Sequence, residues 1–468
     1  MPVLRATEAN FDAEVPIIIV GAGACGLIAA MAATSYGGEV IVLERDPVPQ
    51  GSTALSSGLI PAAGTKAQKA QGLADSAVRM AADIINKAHQ ENDPAMVAAL
   101  CHQSAATIDW LNDVHELNLS VIDTFLYPGH SIHRMHGTPS KTGQELIGAL
   151  SRRAEALEIP VITDAQVTDL FADPGSTIRG VRFQRPDNSE ETLGCQAIIL
   201  ACNGYGGNPK MIAELIPDMK DALYFGHAGN QGDAITWGRE LGAGMADLGG
   251  YQGHGSVAHP HGILVSWALM MEGGIQVNRD GRRFSNEHDG YSEQARRVIA
   301  QPGGIAWNIY DQRLHEFAQD FDDYKQAKAA GAVRQAGTIG ALAEICDLPS
   351  DALEETLSDV DTLSVAGGQD KFGRTFGKNR LAPPYYAVKV TGALFHTQGG
   401  LNVDERARVL KSDGTPFANL FAGGGAARGL SGPSDWGYLS GNGLLTAVTL
   451  GHIAGVQAAR LIKNEDSP

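Results

Sequence analysis

Short apolar runs alternate with amphipathic stretches along the first part of the chain, a pattern typical of α/β proteins. Val15–Val20 is a continuous apolar run and predicts a buried parallel strand. The pattern then predicts a helix over Leu27–Tyr36 and a second strand over Glu39–Leu43. The order strand, helix, strand predicts a βαβ unit.

The middle of the chain has a different texture. A largely helical region, 65–157, is followed by predicted strands, but from about Leu248 to Gly377 a strand pair is mixed with acidic helices, without βαβ spacing. A Gly-rich α/β texture returns after Pro383 and ends in a predicted helix. The simplest architecture is one α/β domain at 1–244 and 376–468, interrupted by an α+β domain at 245–375. The clearest later elements are helices at Met96–Val114, Thr142–Leu157 and Gly443–Leu461, and strands at Pro160–Thr163, Ile178–Phe183 and Ala197–Leu200.

A glycine motif, Gly21–Gly26, lies between the first predicted strand and helix with the spacing GxGxxG. Glycines there let the backbone approach a pyrophosphate, whose charge the helix N-terminus stabilises. Glu44 follows Gly21 by 23 residues, at the end of the second strand, where a carboxylate accepts two ribose hydroxyls. This context predicts a Rossmann-like dinucleotide site.

Composition narrows the class of protein. Charged residues make up 19% and hydrophobic residues 43% of the 468 residues, which excludes disorder as the main state. The net charge of −17 disfavours nucleic acid and anionic membranes as partners. The five cysteines include no CxxC pair, which predicts a cytoplasmic protein without disulfides, haem or iron–sulfur clusters, and no metal site is expected. The apolar runs fall short of the roughly 20 residues that span a bilayer, so no membrane insertion is expected.

Further motifs separate an FAD protein from an NAD dehydrogenase. Gly51–Gly58 follows the acidic residue closely, Ala201–Gly207 ends a buried strand, and Leu420–Gly424 precedes the last helix. Together with the glycine motif they resemble the flavoprotein family of fumarate reductase, succinate dehydrogenase and the 3-ketosteroid dehydrogenases. The resemblance covers nearly the whole chain. Its most specific parts are Gly273–Asn278, Gly281–Glu287, Pro384–Ala387 and His396–Leu401.

This resemblance implies an FAD domain and a mobile capping domain, with catalysis at their junction. Succinate dehydrogenases attach the flavin covalently through a histidine in the motif after the acid, whereas this chain has Gly51-Ser52-Thr53. Non-covalent FAD is therefore expected. The positions implied to contact it are Gly21, Gly23, Ala24, Gly26, Glu44, Arg45, Ser52, Thr53, Ser57, Gly58, Val167, Ala201, Asn203, Gly204, Asp233, Tyr386, Gly424, Asn442, Leu444 and Leu445.

Two tyrosines stand where fumarate reductases have catalytic arginines. Tyr291 matches the proton-donating arginine and Tyr438 the arginine that clamps a substrate carboxylate. Dicarboxylate reduction needs such cations, so fumarate is a poor candidate substrate. The pair is instead similar to the 3-ketosteroid dehydrogenase pattern. That pattern implies Tyr291 as base, with Tyr438 and the backbone N–H of Gly441, or of Asn442, holding a ketone oxygen.

Other polar residues are candidates for substrate contact. His254 and His396 match carboxylate-binding positions of fumarate reductases and imply a polar, anion-accepting pocket. His133 and Arg134 belong to a basic cluster that faces the substrate or lies at the cap hinge. Tyr127 is a candidate third active-site tyrosine.

The sequence thus predicts an FAD-dependent desaturase of a cyclic ketone, either a 3-ketosteroid or a small oxocyclohexane-type ketone that carries a carboxylate or lacks one. An external electron acceptor is required, whether oxygen, a quinone or an electron-transfer protein. A fumarate-reductase-like reductase of an activated double bond is the alternative enzyme, and a flavin-binding electron-transfer module is the non-enzyme alternative.

Overall fold

A computed structural model describes residues 2–377 and 379–463. These residues form two compact units. Unit 1 contains the described residues up to Ile216, then Gly226–Tyr251, and those from His396 onward. Unit 2 contains Pro217–Phe225 and the described residues of Gln252–Phe395.

The strands are short in most places, with two exceptions of 11 and 13 residues. In chain order they are β1 (Val3–Arg5), β2 (Ala13–Val20), β3 (Val40–Leu43), β4 (Ile60–Pro61), β5 (Ser120–Val121), β6 (Met135–Gly137), β7 (Val161–Ile162), β8 (Gln166–Ala172), β9 (Ile178–Gln184), β10 (Glu190–Leu200), β11 (Leu223–Tyr224), β12 (Met245–Ala246), β13 (Tyr251–Ala258), β14 (Ile263–Leu264), β15 (Ile275–Val277), β16 (Ile305–Asp311), β17 (Val333–Ala336), β18 (Tyr385–Thr397), β19 (Gly400–Leu401), β20 (Arg408–Leu410) and β21 (Pro416–Ala422).

The helices range from single turns to the 21 residues of the last helix. In chain order they are α1 (Ala24–Ser35), α2 (Gly51–Ala54), α3 (Lys66–Ala70), α4 (Ala77–Lys87), α5 (Pro94–Asp113), α6 (Gly143–Ala156), α7 (Pro209–Leu215), α8 (Asp233–Leu241), α9 (Ala268–Met271), α10 (Tyr291–Ile299), α11 (Gln312–Ala318), α12 (Asp322–Ala329), α13 (Ile339–Cys346), α14 (Ser350–Ala366) and α15 (Asn442–Ile462).

Unit 1 is built on a nine-stranded sheet with the order β1-β8-β9-β10-β2-β3-β7, in which β21 pairs with β10 and β20 with β21. Strands β10, β2, β3 and β7 run parallel to one another, whereas β9 is antiparallel to β10. Ile17, Ile18 and Ile19 of β2 are fully buried. Both faces of a parallel sheet are covered in such folds, which explains the continuous apolar run. The predicted βαβ unit is therefore present as β2, α1 and β3.

Helices α1 and α15 pack closely together in unit 1. A Cβ atom added at Gly455 would overlap the carbonyl oxygen of Ala29, so glycine is required for this approach. By length and composition α15 is apolar enough to cross a membrane, but 61% of its most apolar stretch is buried inside the unit. Packing against α1 accounts for that apolar character.

Unit 2 contains a seven-stranded sheet with the order β14-β13-β18-β16-β15, to which β11 and β17 add on β18. The sequence predicted that the dinucleotide domain resumes at residue 376, whereas unit 2 continues to Phe395. The reason is strand pairing, because β18 is antiparallel to both β16 and β17. The central strand of this sheet thus comes from a stretch whose local texture resembled the other domain.

All five cysteines are free thiols. Cys25, Cys101, Cys195 and Cys346 are buried, and Cys202 is half-buried. Burial raises the pKa of each thiol to about 12.

Candidate active site

The turn between β2 and α1 is a tight cradle of backbone. Gly21 has φ +103°, and a Cβ atom there would lie 2.6 Å from the carbonyl oxygen of Ala201. A Cβ atom at Gly26 would overlap the carbonyl oxygen of Gly21. Gly23 precedes the first residue of α1, so the amide groups of that helix begin at this turn. The geometry suits a pyrophosphate bound at a helix N-terminus.

Glu44 is fixed against the same turn. Its Oε2 accepts the Ala22 N–H at 2.7 Å, and its Oε1 accepts the Asp46 N–H at 3.0 Å. Burial raises the pKa of Glu44, while the two backbone hydrogen bonds oppose that change. A carboxylate held in this way is placed to accept ribose hydroxyls, and that contact stays a prediction from the sequence.

The stretch after Glu44 folds back onto the start of α1. Thr53 Oγ1 accepts the Ala24 N–H at 3.0 Å. Ser52 Oγ accepts hydrogen bonds from the side-chain amides of Asn203 at 2.8 Å and Asn230 at 2.9 Å. Predicted cofactor positions that are distant in sequence are therefore hydrogen-bonded neighbours in unit 1.

Asp233 begins α8 and is buried. Its Oδ1 has no hydrogen-bond partner among the described residues, and its Oδ2 lies 3.9 Å from the Arg45 guanidinium, which also donates to the Gly229 carbonyl oxygen. Burial raises the pKa of Asp233 and the Arg45 charge opposes this. A buried acceptor without a protein partner fits a ligand hydroxyl, so the residues present fit FAD.

Most predicted cofactor positions lie in unit 1, and a single one, Tyr386, lies in unit 2. The ring of Tyr386 stacks on His315 at 4.2 Å between centroids, and its hydroxyl donates to Gln312 Oε1 at 2.5 Å. These contacts favour a core role over the predicted flavin contact.

The remaining predicted cofactor positions of unit 1 differ in burial. Ser57 is exposed, Ala201 and Leu444 are half-buried, and the buried ones are Gly58, Val167, Gly204, Gly424, Asn442 and Leu445.

Tyr438 and His396 are neighbours within unit 1, with ring centroids 5.4 Å apart and planes at 78°. Burial raises the pKa of Tyr438 to about 12, against the opposing effect of hydrogen bonds from the backbone N–H groups of Gly443 and Gly441. Tyr438 is consequently a neutral phenol at ordinary pH. The sequence left open whether the Gly441 or the Asn442 N–H holds a ketone oxygen, and this stays a prediction. In the structure the Asn442 N–H donates to the Leu439 carbonyl oxygen at 3.0 Å, and the Gly441 N–H acts on the tyrosine hydroxyl.

Tyr291 and His254 are neighbours within unit 2, with ring centroids 5.1 Å apart and planes 22° from parallel. His254 Nδ1 accepts the Ser256 N–H at 3.1 Å, so its proton is on Nε2. Burial lowers the pKa of His254 to about 3, which leaves the imidazole neutral. Tyr291 is the first residue of α10, and the Gly253 N–H donates to Ser292 Oγ at 2.9 Å, which ties β13 to that helix start.

A buried ion network precedes Tyr291. Glu287 Oε1 accepts from Arg283 Nε at 2.9 Å, and Glu287 Oε2 accepts from Arg374 at 2.9 Å. Burial alone would raise the pKa of Glu287, but the Arg283 hydrogen bond and the Arg374 charge outweigh it and hold the pKa at about 2. The network anchors the segment that leads into α10.

The predicted basic cluster has a structural role at Arg134. Its Nε lies 3.0 Å from Asp75 Oδ2 and its NH1 lies 2.7 Å from Asp83 Oδ2, and the arginine side chain is fully buried. This occupied guanidinium argues against a substrate contact. His133 is half-buried, and its Nδ1 has no hydrogen-bond partner among the described residues. Tyr127 packs against a small cluster of Leu59, Ile122 and Met135.

Sequence reasoning missed two polar residues that contact the predicted site. Gln398 Nε2 lies 2.9 Å from His396 Nδ1, and Ser431 Oγ donates to Gln398 Oε1 at 2.7 Å. Gln398 follows His396 by two residues, and a polar side chain at that spacing was the available signal.

Comparison with known proteins identifies the class. A family model described as an FAD binding domain matches residues 16–444. A probable fumarate reductase, Ifc3, from Shewanella frigidimarina is 31% identical over 460 residues, which are 97% of this chain and 76% of that protein.

Solved structures agree with this match. The open conformation of a flavocytochrome c3 fumarate reductase has a TM-score of 0.83 at 30% identity, covering 98% of this chain and 80% of that one. A 3-ketosteroid Δ4-(5α)-dehydrogenase from Rhodococcus jostii has a TM-score of 0.78 at 24% identity, covering 98% and 99%, and shows the shared fold.

These findings define an FAD-dependent oxidoreductase that acts on carbon–carbon single or double bonds. More narrowly, the chain belongs to the FAD-binding flavoprotein family of the fumarate reductases and succinate dehydrogenases. The predicted family and α/β fold class are thereby confirmed.

Proposed function

We propose that the protein is a dehydrogenase that introduces a double bond next to the carbonyl group of a cyclic ketone. The observation that carries the proposal is Tyr438, a buried phenol with a pKa of about 12 whose hydroxyl is bonded by backbone N–H groups at the start of α15. A phenol that stays protonated donates a hydrogen bond to a carbonyl oxygen. Such a donor stabilises the negative charge that develops on that oxygen during α-proton removal.

The reaction removes one proton and one hydride from adjacent carbons. Tyr291, as phenolate, takes the α-proton, and the electron pair of that C–H bond becomes the new C=C bond through the enolate. Tyr438 holds the enolate oxygen. FAD, when bound, supplies the acceptor for the β-hydride.

The two histidines support a neutral substrate group over a dicarboxylate. Burial lowers the pKa of His254 to about 3 and that of His396 to about 4. Neither imidazole therefore brings positive charge to a carboxylate near neutral pH, and the positions of the two arginines of fumarate reductases hold tyrosine. Both histidines still offer hydrogen bonds to a polar substrate.

The FAD is proposed to be bound without a covalent link, since Gly51-Ser52-Thr53 has no histidine. Acid precipitation is expected to leave the yellow colour in the supernatant. Colour retained in the washed pellet would show a covalent bond. The reduced flavin must pass its electrons to an external acceptor, namely oxygen, a quinone or an electron-transfer protein.

A reductase of an activated double bond is the second candidate, and the fumarate reductase relatives favour it. It would use the same flavin in the opposite direction. The tyrosines at the two arginine positions weigh against a dicarboxylate substrate for such a reductase.

Anaerobic absorbance of the purified holoenzyme separates these functions. The panel is 4-oxocyclohexane carboxylate, cyclohexanone, a 3-ketosteroid and succinate, with fumarate and an enone tested on the dithionite-reduced enzyme. Bleaching by a ketone alone supports the proposed desaturation, and the preferred ketone sets the substrate size. Bleaching by succinate alone, or reoxidation by fumarate without any response to ketones, would overturn it in favour of the reductase.

A further inference from the structure

A series of hydrogen bonds through buried side chains, called the hydrogen-bond chain below, ends at His396. Asn442 Nδ2 donates to Ser431 Oγ at 3.1 Å, Ser431 Oγ donates to Gln398 Oε1 at 2.7 Å, and Gln398 Nε2 lies 2.9 Å from His396 Nδ1. Asn442 and Ser431 are 1% exposed and Gln398 is 5% exposed. Water therefore does not compete for these bonds, and each group depends on its neighbour in the chain.

The donor-to-acceptor direction of this series of hydrogen bonds follows from Asn442, the side chain farthest from His396. With donors running towards His396, the one atom left without a partner in the described structure is the Asn442 carbonyl oxygen. With the opposite direction, the Asn442 amide would leave a buried NH2 group unpaired. A buried donor group without a partner is rarer and more costly than an under-used carbonyl oxygen.

The backbone of Gln398 is also fixed. Its N–H donates to the Gly250 carbonyl oxygen at 2.8 Å, and its carbonyl oxygen accepts the Gly429 N–H at 2.7 Å. The glutamine side chain thus begins from an anchored position. The Thr397 carbonyl oxygen lies 3.4 Å from His396 Nδ1, a longer distance than the 2.9 Å to Gln398.

We propose that Gln398 is a positioning residue that holds His396 in the tautomer with the proton on Nε2, so that His396 donates a hydrogen bond to the substrate's ketone oxygen together with Tyr438. The part concerning the ketone rests on the function proposed above, whereas the tautomer does not. Gly443 allows this arrangement, because a Cβ atom there would lie 2.8 Å from His396 Cε1. The site would then present two neutral donors to one oxygen, which suits a ketone that becomes an enolate.

The tautomer is measured directly by ¹⁵N NMR of the holoenzyme labelled at histidine, with His396→Asn identifying the His396 signals. The wild type is expected to show the Nε2–H form. Gln398→Glu replaces the donor by an acceptor and is expected to move the proton to Nδ1 or to charge the ring. An Nδ1–H signal in the wild type, or an unchanged signal in Gln398→Glu, would overturn the proposal.

Two further variants keep the test decisive. Ser431→Ala frees the Gln398 amide to turn without adding charge, and mixed tautomers are expected. A single Nε2–H form in that variant would contradict the claim that Ser431 and Gln398 fix the tautomer through the hydrogen-bond chain. Gln103→Glu is the matched control, because Gln103 Nε2 lies 3.5 Å from Nδ1 of a different histidine, His452. It should change the His452 signals and leave those of His396 as they are in the wild type.

The kinetic arm separates the two proposals. If ketones bleach the wild-type flavin, Gln398→Glu is expected to slow that step by about 10²-fold, the effect typical of losing one oxyanion donor. Gln103→Glu should keep the wild-type rate, and an unchanged rate in Gln398→Glu would contradict the donor role. If no ketone bleaches the flavin but the NMR result holds, the proposed function fails while the tautomer assignment stands.

Discussion

The imidazole of His254 lies nearly parallel to the phenol of Tyr291, with 5.1 Å between the ring centroids. The contact joins β13 to the first residue of α10. It holds the phenol ring in one plane against a neutral neighbour. An orientation fixed before substrate binds favours a proton-transfer role, because a base acts within hydrogen-bond reach of the proton it removes.

Replacing Tyr291 by phenylalanine removes the proposed base and keeps the ring. Ketone-dependent bleaching of the flavin is expected to slow by about 10²- to 10⁴-fold, the usual contribution of a general base. Stopped-flow absorbance under anaerobic conditions measures this step. Tyr385→Phe removes a half-buried hydroxyl in the same unit and should leave the rate near the wild-type value. A Tyr291→Phe enzyme as fast as wild type would exclude Tyr291 as base.

Replacing Tyr438 by phenylalanine removes the proposed donor. A loss of about 10²- to 10³-fold in the bleaching rate is expected. Because burial holds the Tyr438 pKa at about 12, the donor is fully protonated across the neutral range. The ratio of wild-type to variant rates should therefore stay constant between about pH 6 and 9. A ratio that changes steeply with pH there would show that Tyr438 titrates and is not a fixed donor.

Glu287→Gln is expected to destabilise the fold by about 3–5 kcal/mol, since it removes the ion-pair partner of the buried Arg374 and leaves Arg283 paired with Asp370 alone. The folded-state pKa of about 2 lies below the usual 4.5, so the stabilisation is complete above about pH 4.5. It is lost as pH falls towards 2. Denaturant unfolding should therefore show a difference between variant and wild type that shrinks with acidification.

Glu355→Gln is the control for this stability prediction. It breaks the ion pair with Arg282, in which the glutamate side chain is 61% exposed. Exposed pairs contribute about 0–1 kcal/mol, so little change is expected. Equal effects of the two substitutions would contradict the structural importance of the Glu287 network.

Glu44→Ala is expected to weaken FAD binding by about 10²-fold, since it removes the charged carboxylate that is proposed to accept hydrogen bonds from the ribose hydroxyls of FAD. Titration of the apoprotein with FAD, followed by flavin fluorescence, gives the dissociation constant. Glu39→Gln changes an exposed carboxylate directly before β3, the strand that Glu44 follows, and should bind FAD as the wild type does. Equal affinities in both variants would argue against a ribose contact by Glu44.

The sequence predicted the parts of the fold that depend on local pattern. Ile17 to Ile19 form a buried strand because a continuous apolar run suits a parallel sheet covered on both faces. It did not predict that β18 belongs to unit 2, because strand pairing with β16 depends on residues about 80 positions away.

The candidate site also combines features that the sequence predicted with features that depend on contacts between distant residues. The resemblance to the fumarate reductases and 3-ketosteroid dehydrogenases brought out Tyr291, Tyr438 and both histidines, whereas the protonation state and orientation of those groups depend on burial and hydrogen bonds. Arg134 is an example, because a basic cluster in sequence does not show that Asp75 and Asp83 already occupy the guanidinium. Gln398 was missed for the converse reason, since its importance comes from Ser431 on one side and His396 on the other.

The buried thiols make this chain a chemically quiet background for labelling. With pKa values of about 12, fewer than roughly one cysteine in 10⁴ is a thiolate at neutral pH, and the thiolate is the form that alkylating reagents attack. One cysteine introduced on the surface of either unit would then react with a maleimide far ahead of the native five. Fluorescent or spin labels can accordingly be attached at chosen positions without first removing any cysteine of the protein.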